Sequence, residues 1–571
     1  MSLSQKARAL LDRWGSTRPP SAIELRNFKA FGAEGSGKIP LKPITLIFGQ
    51  NSAGKSSLLH SLLWLDHGVT TGEWDVHHPR LAGDLVDLGG FSRFVHRHEE
   101  ERTISVSLDL ESRIGSVQLT LGFGKVAADD QTEEVDEEEL DLGLRPEPRR
   151  FDPEARRFGL SLPEDSIGLR SYEISCDGQA VLRFIRRRGE LVLDVLAINS
   201  KLLAAILRDR RQNDLLAPLE DKDVEIATNS FMSKFPVKTR ASSLLSQGLM
   251  SSISFRMRAE RGNVQPSPIE EKLFQAISIL TKNVSRHLSG MGPRDLIGTA
   301  YIGPLRVYPD RDLAMVTETD RSDWLASGLF AWEILRELPE ARERVNRVLK
   351  DILNLGYEFQ MAHRSLTPEE AERVVNEEIA KGFENDFGNE DDSVIEDPVS
   401  YFSDVISQVL QQASAENQSG FLRLVDSKTG TPLAAKDVGM GISQVIPILV
   451  AASVLDHKTI CMEQPELHLH PGLQAKLADA LITSALQQRN TLLIETHSEH
   501  LILRILKRIR ETTIGKLPTG ARPITKDDVA VLFVSPSPEG SIVRELRITD
   551  HGKFLDSWPG GFFEESFDEM F

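Results

Sequence analysis

Cysteine is nearly absent: Cys176 and Cys461 are the only two in 571 residues. So few, so far apart, they exclude a disulfide framework and a cysteine-rich zinc site, and both are expected as reduced packing residues. Long apolar runs are missing too; none approaches the roughly 18 residues that a membrane span requires, so no transmembrane helix is expected. The opening MSLSQKARALLDRWGSTRPP has helical periodicity but neither an apolar central stretch nor a small-residue cleavage site. It does not read as a secretory signal, and a cytoplasmic location is expected. Excess positive charge is also lacking. A formal net charge of -18 excludes a surface that binds nucleic acid uniformly, because such binding works by counterion release from clustered Lys and Arg. Any DNA contact is then confined to two local patches, Arg183 with Arg186-Arg187-Arg188, and the segment bearing Arg504, Lys507, Arg508 and Arg510. Few aromatics interleave with either, which argues against a base-stacking platform.

What is present is an ordinary globular composition, 40% hydrophobic and 27% charged. At roughly 150 residues per domain the length suggests about three or four units. Ile23, Leu25 and Phe28 alternate with polar residues in SAIELRNFKAF and suggest a strand and a turn. ITLIF at 44–48 reads as a buried strand that enters a Gly-rich turn, after which SSLLHSLLWL repeats leucine at helical spacing. From about 101, TISVSLDL and SVQLTLGF alternate as antiparallel strands do, and the acidic segment Asp129 to Asp141 follows as a loop. The stretch from about 190 to 290 is mostly helical by pattern, and a second acidic region runs from about Glu369 to Asp397. The last third returns to α/β alternation, with DVGMGISQVIPILVAASVL, TICME, a helix from about 472 to 488, TLLIETH and a further helix through Arg510. The expected organisation is an α/β fold split by a large α+β insertion: an N-terminal lobe over 1–100, insertion over 101–295, a connecting helical region over 296–425, and a C-terminal lobe over 426–571.

Three elements carry chemistry. Gly49-Gln50-Asn51-Ser52-Ala53-Gly54-Lys55-Ser56 fits G-x-x-x-x-G-K-[ST] between a strand and a helix, where that pattern has a mechanism. Backbone N–H groups from Gly49 through Asn51, Ser52, Ala53 and Gly54 to Ser57 can wrap phosphates, Lys55 can reach the β and γ oxygens, and the Ser56 hydroxyl can ligate Mg²⁺. ATP and Mg²⁺ are therefore the expected ligands. The strand Thr459 to Met462 ends in Glu463, the expected metal-side acid alongside Ser56. A third strand ends at His497, where a γ-phosphate sensor would stand; alone it would read as a surface histidine, but it follows the other two elements in order. His468 and His470 form H-x-H near Glu466, which one pair without a third ligand leaves weak as a metal site.

The RNF region, the P-loop, EQPELHLHP and ETHSEHL resemble the ABC-type ATPases related to RecF, SMC proteins and the overcoming-lysogenization-defect (OLD) family. Together with YIGPLR, DVGMGISQ and the terminal WPGGFF, they resemble a bacterial OLD-like AAA/ABC branch. The likeness covers about the first hundred and the last hundred and forty residues. It implies an ABC-type head, a mixed sheet with flanking helices, that forms a homodimer or a higher even-numbered oligomer over ATP, each nucleotide lying between one subunit's P-loop and the other's signature loop. Gly439-Met440-Gly441-Ile442-Ser443-Gln444 occupies the signature position. Gly441 is expected to present its N–H to a γ-phosphate; Gly439 stands where many relatives have serine, leaving Ser443 to supply a hydroxyl. A plain helix-start turn is the competing reading. The resemblance also implies a cross-subunit place for the His468–His470 loop.

In such ATPases two acids commonly end the second strand, the later one orienting the attacking water. Here the pair is Glu463-Gln464, and loss of a general base typically costs about 10²- to 10⁴-fold. Slow turnover and a long-lived ATP-bound dimer are expected, with Glu466, just after Pro465, as the candidate substitute base. Many OLD relatives carry a C-terminal TOPRIM nuclease; the roughly sixty residues after Arg510 are too short for such a domain of ~100 residues, so a separate nuclease or toxin effector is expected. Trp558, Phe562 and Phe563 of the tail are expected to pack against the ATPase lobe. Two readings then compete, an ATP-gated sensor or scaffold of bacterial phage defence similar to the ATPase half of Septu-like pairs, and a RecF/SMC-like repair factor that binds DNA itself.

Overall fold

The computed structural model describes residues 20–112, 115–127, 165–187, 190–207, 220–234, 238–239, 266–289, 299–307, 323–362, 421–433 and 439–559. The leading helix, both acidic segments, Arg188, Phe562 and Phe563 lie outside them. Strands are β1 (Ala22–Arg26), β2 (Ile39–Pro40), β3 (Ile44–Gly49), β4 (Ile104–Ser112), β5 (Gly115–Ala127), β6 (Asp165–Cys176), β7 (Gln179–Arg187), β8 (Glu190–Leu196), β9 (Lys238–Thr239), β10 (Thr299–Ile302), β11 (Tyr357–Ala362), β12 (Phe421–Asp426), β13 (Pro432–Leu433), β14 (Thr459–Glu463), β15 (Thr491–Glu495), β16 (Val529–Ser535) and β17 (Ile542–Glu545). The helices used below are α1 (Lys55–Thr71), α2 (Ser200–Leu207), α3 (Asp221–Lys234), α4 (Pro268–Ser289), α5 (Leu329–Glu337), α6 (Pro339–Arg347), α7 (Met440–Val454), α8 (Pro471–Gln487) and α9 (Glu499–Thr513).

One sheet is six-stranded and mixed, in the order β10-β14-β15-β3-β16-β17. Its first five strands are parallel and β17 returns antiparallel to β16. Every residue of β3 and β15 is buried, as expected of parallel strands covered on both faces, and this is why ITLIF and TLLIE read as unbroken apolar runs rather than alternating ones. No helix among the described residues is long and apolar enough to cross a membrane.

A second sheet of eight antiparallel strands runs β2-β1-β4-β5-β6-β7-β8-β9. Its membership crosses the expected boundary at residue 100. β1 pairs with β4 from Ala22↔Asp109 to Arg26↔Ser105, so the N-terminal strand belongs to the insertion's sheet. Likewise β10, placed by pattern in the connecting region, is the edge strand of the six-stranded sheet, and β12 pairs with β11 in a small three-stranded sheet. Strand pairing at such sequence separations leaves no local mark, because alternation reports which face is buried and not which strand lies alongside.

The two large sheets are welded by aromatic packing around α1. Trp64, fully buried, lies 5.6 Å from Phe28, 5.4 Å from Trp74, 5.5 Å from Phe94 and 4.9 Å from Phe123, ring centroid to centroid. Its indole N–H donates to the Trp74 carbonyl at 2.9 Å, so the one polar atom of the ring is satisfied. Gly68, one turn further along α1, makes room for Trp74: a Cβ there would come within 2.2 Å of the indole ring. At the other side of the six-stranded sheet Trp558 packs on Phe48, Phe533 and Phe554, so the described part of the tail closes over β3. Trp64→Ala is expected to lower the unfolding free energy by about 3–5 kcal/mol, measured by chemical denaturation of the full chain.

Candidate active site

β3 ends at Gly49 (φ 148°) and α1 begins after Gly54 (φ 96°), and the loop between them also carries Ser52 at φ 62°. Side chains would not fit at the two glycines. A Cβ on Gly49 would lie 2.3 Å from the Val534 carbonyl oxygen, and one on Gly54 would lie 2.4 Å from the Ala30 Cβ. The loop is thus pressed against β16 on one side and against the turn after β1 on the other. Ser541, at the end of the β16–β17 connection, adds a hydrogen bond from its hydroxyl to the Ala53 carbonyl at 2.7 Å. Ala53 N–H donates to Gln50 within the loop, whereas those of Asn51, Ser52 and Gly54 have no acceptor among the described residues. A concave run of such amides at a helix start suits an anion. Ser57, the third residue of the helix, is buried.

Lys55 is buried, its ammonium donating to the carbonyls of Gly49 at 3.1 Å and Gln50 at 2.9 Å and lying 3.9 Å from Glu495. Burial lowers its pKa, opposed by the charges of Glu495 and Glu463. The Ser56 hydroxyl donates to Glu495 Oε2 at 2.6 Å, not to Glu463. Glu463 stands beside Glu495 because β14 and β15 are parallel and in register, Glu463 opposite Glu495. Glu463 Oε1 accepts from the Tyr301 hydroxyl at 2.9 Å and lies 3.5 Å from His60 Nε2, and His60 Nδ1 is 2.8 Å from Lys29 Nζ. A serine hydroxyl and two carboxylates at the ends of neighbouring strands form a set of hard oxygen donors, which fits Mg²⁺. When bound, that cation would neutralise charge on the phosphates; Ser56, Glu463 and Glu495 are the residues that would hold it or its water shell.

Around this pair Arg306 acts as a buried tie. Its guanidinium donates to the carbonyls of Glu463 at 2.8 Å, Gln464 at 3.1 Å and Gln444 at 3.3 Å, while the Gln444 amide donates back to the Arg306 carbonyl at 2.9 Å. Burial pulls its pKa down to about 10 against the charges of Glu466 and Glu463. The signature-position helix α7 is thereby fastened to the end of β14. Gly441 makes a second fastening, since a Cβ there would meet the His468 carbonyl oxygen at 2.5 Å.

The remaining expected residues fall as follows. Gly439, exposed and at φ 82°, caps the start of α7, open to an approaching partner. Ser443 is buried, 1% exposed, so the hydroxyl expected to compensate for Gly439 points into the protein; one turn of helix beyond Gly439 carries it to the core side. Gln464 holds φ 44° and donates its N–H to the Glu495 carbonyl. Glu466 is buried and its Oε1 accepts the His497 N–H at 2.8 Å, so it braces the sensor position, and burial raises its pKa. The His497 side chain is exposed at the mouth of the site, its pKa lowered by partial burial and then by Lys55. His470 accepts the Gly472 N–H through Nδ1 as the N-cap of α8, which commits one nitrogen of the H-x-H pair to a structural role.

Sequence reading passed over Glu495, Tyr301, Arg306, His60 and Lys29. A signal existed for Glu495, since TICME and TLLIE end alike and strands of that kind pair in parallel register. His60 lies four residues after Ser56, hence on the same helix face. Tyr301 and Arg306 sit in YIGPLR with nothing local to mark their target. Within the two basic patches Arg504 and Arg508 hold Asp479 at 2.7 Å each, Arg508 also holds Glu511, Arg183 binds Glu173 and Arg187 binds Asp194.

Burial and the neighbouring Glu463 push Glu495 up to about 6, against the pull of the Ser56 hydroxyl and Lys55. A carboxyl raised in this way contributes stability below its ordinary pKa and loses it as pH rises through about 6. In chelator-containing buffer, Glu495→Gln is therefore expected to gain roughly 2 kcal/mol over the parent chain between pH 4.5 and pH 7.5, read from paired denaturant titrations.

Three family models match this chain. Residues 22–141 match an AAA domain, residues 316–504 an AAA domain whose description adds "AbiEii toxin, Type IV TA system", and residues 524–571 a protein of unknown function (DUF3696). No curated protein matches. Similar solved structures include an Smc head bound to the C-terminal winged-helix domain of ScpA (11% identity, 93% of this chain and 98% of that chain, TM-score 0.33). Others are an Smc head with an extended coiled coil bound to the C-terminal domain of ScpA from Pyrococcus furiosus (11%, 97% and 98%, 0.33), and an SMC head from Thermotoga maritima (8%, 93% and 100%, 0.34). At those scores the likeness is too loose to carry an argument about this chain.

Proposed function

From the premise that residues 22–141 and 316–504 carry AAA-domain ATPase sequence, we propose that this chain binds Mg-ATP on Gly49 to Ser57, dimerises over it and hydrolyses it slowly. The observation that carries the reading is the convergence of Lys55, Ser56, Glu463, Glu495 and His497 at the ends of β3, β14 and β15. Backbone amides of the P-loop and the Lys55 ammonium hold phosphate, Ser56 with the two carboxylates holds the cation, and His497 faces the γ-phosphate. Gly439 and Gly441, at the exposed start of α7, take the trans contact to the partner's nucleotide. Gln464 replaces the usual base. Glu466 is a poor substitute, because it is buried and engaged with the His497 backbone.

The use of such a slow switch is a sensor or scaffold subunit in a bacterial anti-phage complex, controlling a separate nuclease or toxin. The toxin–antitoxin wording attached to the match over 316–504 supports a defence role. The competing reading, a RecF/SMC-like repair ATPase that binds DNA directly, would draw on the two basic runs, and the ion pairs of Arg183, Arg504 and Arg508 weaken it.

Two measurements test this. Lys55→Ala should abolish ATP binding by calorimetry, and Gln464→Glu should raise steady-state turnover by about 10²-fold or more while shortening the life of the ATP-bound dimer. A parent rate of tens per second, abolished by Glu466→Ala but not by Gln464→Ala, would overturn slow hydrolysis. Copurification from a native-operon host in ATP, followed by mass and nucleotide analysis, tests the effector; recovery of the chain alone with salt-sensitive DNA binding would turn the assignment to the repair reading.

A further inference from the structure

We propose that Lys29 and His60 are positioning residues for Glu463, forming a Lys–His–Glu chain that fixes the carboxylate for its metal; this rests on the ATPase reading above. Lys29 Nζ lies 2.8 Å from His60 Nδ1, and His60 Nε2 lies 3.5 Å from Glu463 Oε1. An ammonium has three donors and no acceptor, so Nδ1 must offer its lone pair and the imidazole proton resides on Nε2, aimed at the carboxylate. The lysine thus sets the tautomer, as a carboxylate does in the opposite sense when it orients a catalytic histidine.

Tyr301 donates to the same Oε1 at 2.9 Å. The tyrosine hydrogen bond and the imidazole contact thus fall on the same carboxylate oxygen of Glu463. His60 is one turn beyond Ser56 on α1, so the hydroxyl and the imidazole move as one body. Lys29 is anchored separately. It occupies φ 46° in the turn after β1, its N–H donating to the Phe94 carbonyl at 2.7 Å and its carbonyl accepting from His96 Nδ1 at 2.9 Å. A left-handed lysine whose backbone is gripped on both sides and whose ammonium points inward is costly to hold as plain packing. The arrangement reaches from the eight-stranded sheet into the metal side of the P-loop.

The test measures ATP affinity of the full chain by calorimetry, with MgCl₂ and with a chelator, for Lys29→Met, His60→Leu, His60→Gln and the double variant. Lys29→Met and His60→Leu should each weaken ATP binding in Mg²⁺ by about 10-fold, the usual scale for loss of a ligand's orienting partner, and leave binding in chelator unchanged. The double variant should be no worse than either single one, because both break one chain. His60→Gln, whose amide can accept from Lys29 and donate to Glu463, should recover most of the loss. Histidine ¹⁵N NMR should place the His60 proton on Nε2 in the parent and lose that preference in Lys29→Met. Unchanged Mg²⁺ dependence in both single variants, or a proton on Nδ1, would overturn the proposal while the ATPase reading stood. A parent chain that binds no ATP in either buffer would overturn both.

Discussion

The parallel register of β14, β15 and β3 is the constraint on which the rest of the site depends. Ladder hydrogen bonds set Glu463 opposite Glu495, and Ile44 to Ile47 of β3 opposite Leu492 to Glu495. Because all three strands run the same way, their C-terminal ends open on one edge, and the P-loop, the two acids and His497 all leave the sheet there. A slip of one residue would turn each of these side chains to the opposite face.

That geometry brings like charges together, and the protein answers with buried donors. Burial, Glu463 and Glu466 together raise the proton affinity of Glu495. Lys55, Lys29, Tyr301 and His60 surround them, while Arg306 neutralises the carbonyl end of β14 rather than a carboxylate. Such a site stores unfavourable electrostatics that a divalent cation would relieve, and pKa values displaced by burial at a cleft are a usual mark of function. The tie through Arg306 and Gln444 fastens α7 to the end of β14.

Several features of this arrangement could be read directly from residues. The P-loop was legible because its pattern is local: a buried run, glycines at two positions that reject a Cβ, a Lys-Ser pair and a leucine-spaced helix. The helices Pro471–Gln487 and Glu499–Thr513 and the antiparallel strands from 101 onward follow from periodicity alone. Ser443 shows where such reading fails. Its position in the motif suggested an available hydroxyl, but the rotation of α7, set by packing against α5, α6 and α8, buries it. The arginine runs likewise have partners that local sequence does not mark, since Asp479, which pairs with Arg504 and Arg508, lies on a different helix.

By itself, then, the chain's order of residues determined the element types, the phosphate-binding loop, the strand-end acid Glu463 and the replacement of a second acid by Gln464, because each depends on neighbours within about ten positions. Tertiary structure alone decided that β1 joins the insertion's sheet, that Ser56 bonds Glu495, and that Lys29, Tyr301 and Arg306 converge on the end of β14. Those contacts join residues up to 439 positions apart. Hydrophobic pattern fixes which face of a strand or helix is buried, but not which distant partner will lie against it, and that choice is made only when the sheets close on a common core.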